Sequence, residues 1–314
     1  MPRPTAESAR DILPPDGAHP KDGSRDFRQR LHTPTQITRL QAHCFIVDCW
    51  HHRILYSPRT DAPLSLWQAL DENIAGPHSI ASDGTLYVAE DTGRHGLKVY
   101  RQTGPARFEQ VQYLEGIGKR PHRTIHDPLS GQFLVIGSSD QSLHGFAVRD
   151  GRLVRTLALS VPSLHGQYCR SITLHRGRLH FVGEHEIVIH PLEGRQLSAR
   201  AHHLPLPDGH HGGNDLFFLD DRRGILSCTP GRAFLFDDLA SLARGMTHDL
   251  SSAFTGTPYY ISRFDGRLWI PEITEHSAIR SYRPTGNGLG PASTLFDNGP
   301  ADALSLARKT ELPT

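Results

Sequence analysis

One motif, spelled out six times at intervals of 42 to 48 residues, restricts what this chain can fold into. Its clearest copy runs from Gly76 to Tyr100, GPHSIASDGTLYVAEDTGRHGLKVY. Aligned on it, the other copies put Gln36, His78, His122, Arg170, Asn214 and Tyr259 at one equivalent position. A period in this range marks a supersecondary unit that cannot bury its apolar face alone and must stack on its neighbours.

Each copy has the same internal order. A short apolar strand leads to a turn, often Asp-Gly or Arg-Gly, then a stronger strand that ends in a carboxylate, a polar turn and a third strand. In the second copy these are HSIAS, TLYVAE and GLKVYR. A fourth, more amphipathic strand follows in most copies, as in FEQVQYLEG and RLVRTLALS. Short apolar runs bounded by Gly, Asp, Asn and Pro are strand signals, and no long stretch keeps a helical period. The pattern predicts an all-β chain: a six-bladed β-propeller of four-stranded antiparallel blades. The 314 residues suit one closed ring, so the expected organisation is a polar, flexible N-terminal tail over residues 1–30 and a single domain over 31–314.

Lys plus Arg number 34 and Asp plus Glu 33, which leaves no global field to recruit nucleic acid or an anionic membrane. Cys44, Cys49, Cys169 and Cys228 fall in or beside predicted strands with no C-x-x-C pair; buried free thiols and a reducing compartment are expected. The first 30 residues contain no apolar segment of the signal-peptide kind, so the expected location is cytoplasmic.

A propeller must pair its first and last blades, because an open ring leaves faces and an edge exposed. Two segments compete for the inner strand of the first blade. One is Gln36 to Leu40; the other is NGPADALSLAR, Asn298 to Arg308, which resembles GPHSIAS and would bring Asp302 to the axis.

Antiparallel pairing sets the start of an inner strand beside the end of the second strand. This places His78 near Glu90, Arg170 near Glu184, Tyr259 near Glu272 and Gln36 near Asp48. A carboxylate that holds one ring nitrogen of a histidine frees the other for a metal or a proton, so Glu90 is the expected orienting group for His78. The same carboxylates can instead cap turns.

His78 and His122 come from adjacent blades at one level of the axis, the arrangement a shared divalent ion requires; neutral imidazole suits zinc first, then copper, iron or nickel. Third ligands are available in the loops that deliver the chain to the axis: His165 in LHGQYCR, His210 and His211 in GHHGGND, and Asp302. His52, His95 and His276 fall at turns between second and third strands, where they are expected to bond the backbone. Arg170 can clamp an anionic group and Tyr259 can transfer a proton, while Asn214 and Gln36 can orient substrate. Nothing matches G-x-S-x-G, H-E-x-x-H or a Walker loop.

IVDCWHHRIL at Ile46 to Leu55 and YVAEDTGRHGLKV at Tyr87 to Val99 resemble the NHL repeat, over about residues 34 to 308. That resemblance implies a propeller whose relatives act as enzymes or as binding platforms. The second copy is similar to the histidine-bearing repeat of the peptidyl-α-hydroxyglycine α-amidating lyases. Those enzymes hold zinc on axis histidines, with a tyrosine and an arginine at the reacting centre. His78 in GPHSI and His122 in RPHRT match its Pro-His positions; Arg170 and Tyr259 supply the two residue types, but a third axis histidine is missing. GGNDLFFLDDRRG resembles more loosely the Asn-Asp repeat of gluconolactonase-type lactone hydrolases, which implies Asn214 and Asp302 as ligands of an ion such as calcium.

The expectation is therefore a metal-dependent lyase or hydrolase. Its ion sits on His78 and His122 with one of His165, His211 or Asp302; Arg170, Tyr259 and Glu90 serve catalysis on a small oxygenated or anionic substrate. The competing expectation is a non-catalytic platform that binds a protein or peptide across its rim.

Overall fold

The computed structural model describes residues 30–286 and 288–300. Six antiparallel sheets succeed one another around a central axis, and within each the strand order from axis to rim follows the chain. The inner strands are Pro34–Leu40, Ile80–Ser82, Pro121–Asp127, Ser171–His175 and Gly213–Phe218 in blades 1 to 5. In blade 6 the inner strand is split into Thr257–Pro258 and Ser262–Phe264, both paired with Arg267–Ile273. Four of the tight turns were legible from sequence. Arg176-Gly177, Asp150-Gly151 and Asp265-Gly266 each carry two successive positive φ values, the backbone that two-residue hairpins need, and Gly84 supplies one at φ 95 in the Asp83-Gly84 turn. Among the described residues no helix is long and apolar enough to cross a membrane, and the four cysteines are free and buried.

Ring closure goes to Gln36. Pro34–Leu40 pairs with His43–Asp48 as the inner strand of blade 1. The segment Ser293–Pro300 instead forms the outer strand of blade 6, against His276–Tyr282. Asn298–Pro300, expected to open an inner-type strand, thus ends an outer one. Asp302 and residues 1–29 of the expected tail lie outside the described residues. Blades 1 and 6 meet through side chains: Ile37, Ile46, Leu55 and Trp67 of blade 1 bury against Trp269 and Ile279 of blade 6. Leu31 joins this cluster, and its N–H donates to Asn298 Oδ1 at 3.3 Å. Five further apolar clusters fill the other blade junctions. Period-2 strands buried on both faces are what allow each blade to supply two of these junctions.

Nearer the axis a second closure runs in hydrogen bonds. Gln36 Oε1 accepts from Ile80 N at 2.7 Å, tying blade 1 to 2, and Thr124 N donates to Ser79 Oγ at 2.9 Å, tying 2 to 3. His122 Nδ1 meets Arg170 O at 3.0 Å across blades 3 and 4. Asp215 accepts from Ser171 Oγ at 2.8 Å and from Ile261 N at 2.9 Å, joining blades 4, 5 and 6. Tyr260 N donates to Thr35 O at 3.3 Å and returns the circuit to blade 1.

A third contact recurs farther out. The backbone carbonyls of His52, His95, Gln141 and His185, each in the turn between second and third strands, accept from Ile74, Ile117, Val161 and Leu206 of the following loop. The imidazoles of His52 and His95 add a bond each, to Gly76 N and Arg120 N, so they hold the next blade's entry loop as well as their own turn. His276 departs from this role and bonds Asp297 at 2.6 Å.

Asp215 joins three blades of the inner circuit through its carboxylate alone and is buried. Asp215→Ala is expected to lower the free energy of unfolding by about 3 kcal/mol, because a hydroxyl and an amide are left unpaired in a buried site. Urea denaturation of the two proteins at pH 7 measures it, and a loss near zero would show that the circuit does not bear on stability.

Candidate active site at the propeller axis

The six residues aligned in the sequence do converge on the axis, but they divide into two kinds. Gln36 and Asn214, expected to orient substrate, have their amides engaged in the ring. Gln36 binds Ile80 N; Asn214 Nδ2 donates to Pro258 O at 3.2 Å and its Oδ1 accepts from Thr229 Oγ1 at 3.0 Å. His78, His122, Arg170 and Tyr259 form the chemically equipped part, each less than a tenth exposed.

His78 and His122 stack face to face, with ring centroids 3.7 Å apart and planes 17° apart. This geometry does not fit a shared ion. Imidazole ligates through a lone pair in the ring plane at about 2.0–2.1 Å, and two nearly parallel planes send those lone pairs alongside each other. Among the described residues no third His, Cys, Asp or Glu joins the pair within metal-sharing distance. His165 lies with Glu186 and His203, and the ring of His211 lies against His185 at 5.0 Å. The loops that carry them start on the expected face, but their side chains turn to the rim.

The carboxylates also depart from the expectation. Glu90 accepts from Ser79 N at 2.7 Å and Ser79 Oγ at 2.6 Å, so both its oxygens are taken by the residue after His78. His78 Nδ1 has no partner, and its Nε2 faces Cys49 Sγ at 3.9 Å. Asp48 likewise accepts from His32 N and Thr33 N, and Glu272 from Thr255 N and Gly256 N. A carboxylate at the end of the second strand thus grips amides of the segment that delivers the inner strand. Backbone N–H groups bound for a buried position must be satisfied, and an ionised acceptor does this well.

Tyr260, which the sequence reading passed over, organises the axis. It sits in the break of blade 6, and its hydroxyl reaches across to the opposite blades, donating to Arg170 O at 2.6 Å with His122 O at 3.1 Å. His122 Nδ1 lies 2.8 Å from the same oxygen. With the phenol proton given to Arg170 O, Nδ1 can only donate to the phenol oxygen, and in that tautomer the lone pair of His122 is on Nε2, buried and without a partner. The phenol divides the axis. Above it lie the stacked histidines, Tyr259, Arg170 and Tyr168. Below it Arg123 covers the Tyr260 ring at 4.0 Å and, with Asp215, lines a cavity of about 220 Å³. A larger concavity of about 480 Å³ lies away from the axis, around Arg101 and Pro105 of blade 2, without acid–base groups.

Burial, then Arg120 and Arg170, push the His78 pKa down to about 3. Burial, then His78, Arg170 and Arg120, hold His122 well below the usual imidazole range. Burial and the nearby Tyr259 hold the Tyr260 phenol well above its ordinary range. Arg120, two residues before His122, was not picked out from the sequence; the visible signal was its place in the same entry loop. At neutral pH the upper mouth therefore combines two neutral imidazoles with two guanidinium groups.

No protein-family model matches the chain, and no curated protein sequence matches it. Solved structures do. A streptogramin B lyase structure aligns with a TM-score of 0.59 at 13% identity, over 84% of each chain. A 6-phosphogluconolactonase-like protein from Bacteroides uniformis aligns at 0.62 and 11% identity, over 85% of this chain and 87% of the other. Sqt1 of Saccharomyces cerevisiae aligns at 0.60 and 10% identity, over 88% of each. At such identities the likeness shows the propeller fold alone.

Neutral burial of the histidines has a pH signature. Above about pH 6.5 both folded and unfolded chains leave these rings uncharged. Below it the unfolded chain takes up protons that the folded chain does not, so stability falls with pH until the folded value is reached, about 3 for His78. The His78→Gln/His122→Gln variant is expected to lose less stability than the wild type between pH 7 and pH 5, by about 2 kcal/mol for each ring held neutral. Denaturation curves at the two pH values decide; parallel losses would mean that the rings titrate normally.

Proposed function

We propose that the chain is an enzyme of the lyase or hydrolase class acting on a small anionic, oxygenated substrate at the upper mouth of the axis. The observation that carries this reading is the convergence of Arg120 and Arg170, 6.0 and 5.1 Å from the Tyr168 ring, with the stacked imidazoles of His78 and His122 beside the same ring. Guanidinium groups bind carboxylate or phosphate through paired N–H donors. A bound anion would offset the guanidinium charge and raise the pKa of His122, whose Nε2 could then take a proton from carbon or water. Tyr259, whose ring centroid is 6.3 Å from that of His78 and 6.4 Å from that of His122, would return a proton to the leaving oxygen. Entry requires movement of the segment that carries Arg120, in which Gly116 and Gly118 hold left-handed backbone at φ 66 and 62.

The NHL-like repeat is common to enzymes and platforms, while the likeness of GPHSI and RPHRT to the amidating-lyase repeat supports the enzymatic reading. So do the lyase and lactonase-like proteins among the structural neighbours. A gluconolactonase-like ion on Asn214 has less support, since both ends of that amide are engaged. For the platform reading, the exposed large apolar side chains among the described residues, Leu66, Leu129, Val154 and Met246, are spread over three different blades.

The test is a thermal-shift screen of small carboxylates, phosphate esters and lactones against the wild type and an Arg120→Gln/Arg170→Gln variant. An anion that raises the wild-type Tm and loses at least tenfold in affinity in the variant supports the site. Equal shifts in both proteins, or none across the panel in the wild type, would overturn it.

A further inference from the structure

On the upper rim of blade 4, three side chains from three separate backbone segments bring their ligand atoms within 4.8 Å of one another: His165, Glu186 and His203. We propose that they form a binding site for a divalent transition metal of the zinc class, apart from the axis and independent of the reading given for it. Two imidazoles and one carboxylate are a donor set that zinc takes in open, three-ligand sites and that ferrous iron takes as a facial triad.

The backbone holds these residues in place without an ion. Glu186 pairs with Pro205 and Val188 with His203 across the third and outer strands, so Glu186 and His203 are diagonal neighbours on one sheet face. His203 Nδ1 lies 2.9 Å from Glu186 Oε2. His165 ends the short 3-10 turn Pro162–Leu164 in left-handed conformation at φ 49, with its N–H on Pro162 O. An L residue other than glycine pays about 1–2 kcal/mol for that backbone, and here it aims an imidazole at the strand pair.

Outside the three donors, Gln167 Nε2 donates to Glu186 Oε1 at 2.6 Å while Gln167 Oε1 accepts from His185 N at 3.1 Å. The amide is thereby fixed, and it fixes the carboxylate, as the groups behind metal ligands do. The two imidazoles have centroids 5.3 Å apart. Their planes are 28° apart, and what favours an ion here is that one ligand atom from each ring lies within 4.8 Å of the other and of a Glu186 oxygen, with the exposed His165 ring able to turn toward it. His165 is exposed and the His203 side chain is 36% exposed, so an ion can reach the site and keep water on its open positions. An ion there would also tie the loop that delivers Tyr168 and Arg170 to the outer edge of blade 4.

Calorimetric titration of zinc into the metal-free full-length chain tests the assignment. The wild type is expected to show one tight binding event, weakened at least about 100-fold in His165→Ala/His203→Ala and about 10-fold in Gln167→Ala. His185→Ala, which removes a neighbouring surface imidazole, should leave it unchanged. Circular dichroism checks that each variant folds, and Glu186→Gln, the near-isosteric change, decides the matter if the double variant does not. Zinc binding that survives the double variant or Glu186→Gln at wild-type affinity, or a wild type that binds no zinc at micromolar concentration, would overturn the proposal.

Discussion

Closure of the inner strands on themselves is the constraint on which the rest depends. Each inner strand has one edge paired within its blade and the other turned to the axis, where no strand can pair it. The chain satisfies that edge mostly with side chains: Gln36, Ser79, His122 and Asp215, together with the backbone amide of Tyr260, each cross a blade boundary. Such a circuit forms only when all six blades are in place, since each link needs the next blade as partner. The apolar clusters between blades supply the larger share of the driving force, but they are non-directional. The hydrogen-bonded circuit sets which residues face one another across the axis.

The chemistry of the upper mouth follows from the same dryness. Where water is excluded, a histidine without a carboxylate stays neutral, and two nearby guanidinium groups push it further that way. A carboxylate does stand near: Glu90 is buried, but it is spent on Ser79. Its removal from the histidines separates the axis as found from the carboxylate-histidine relay that strand pairing suggested. The Tyr260 phenol completes the arrangement by fixing the tautomer of His122 from the far side of the ring.

Much of the fold was legible because its signals are local. Strand alternation, Asp-Gly turns and a repeat near 44 residues are read within one blade, and register carries Gln36, His78, His122, Arg170, Asn214 and Tyr259 to the axis together. Less of the site was legible. A shared level on the axis says that two histidines are neighbours but not whether their planes converge or stack. His165 and His211 were assigned to the axis because their loops lead there, yet a side chain in a loop can turn either way. His203, which completes the rim cluster with Glu186, lies 38 residues beyond His165 and carried no motif.

The sequence by itself determined the number of blades, their phase around the axis, the positions of the hairpins and the six residues at the inner rim. These depend on period-2 and turn preferences that each repeat satisfies alone. Tertiary structure decided that Gln36 opens the first blade, that Glu90 binds an amide in place of an imidazole, that Tyr260 spans the axis, and that His165 meets His203. Those outcomes are contacts between repeats. They are set by competition among all the donors and acceptors that closure brings into one dry volume, and no single repeat contains the information to settle it.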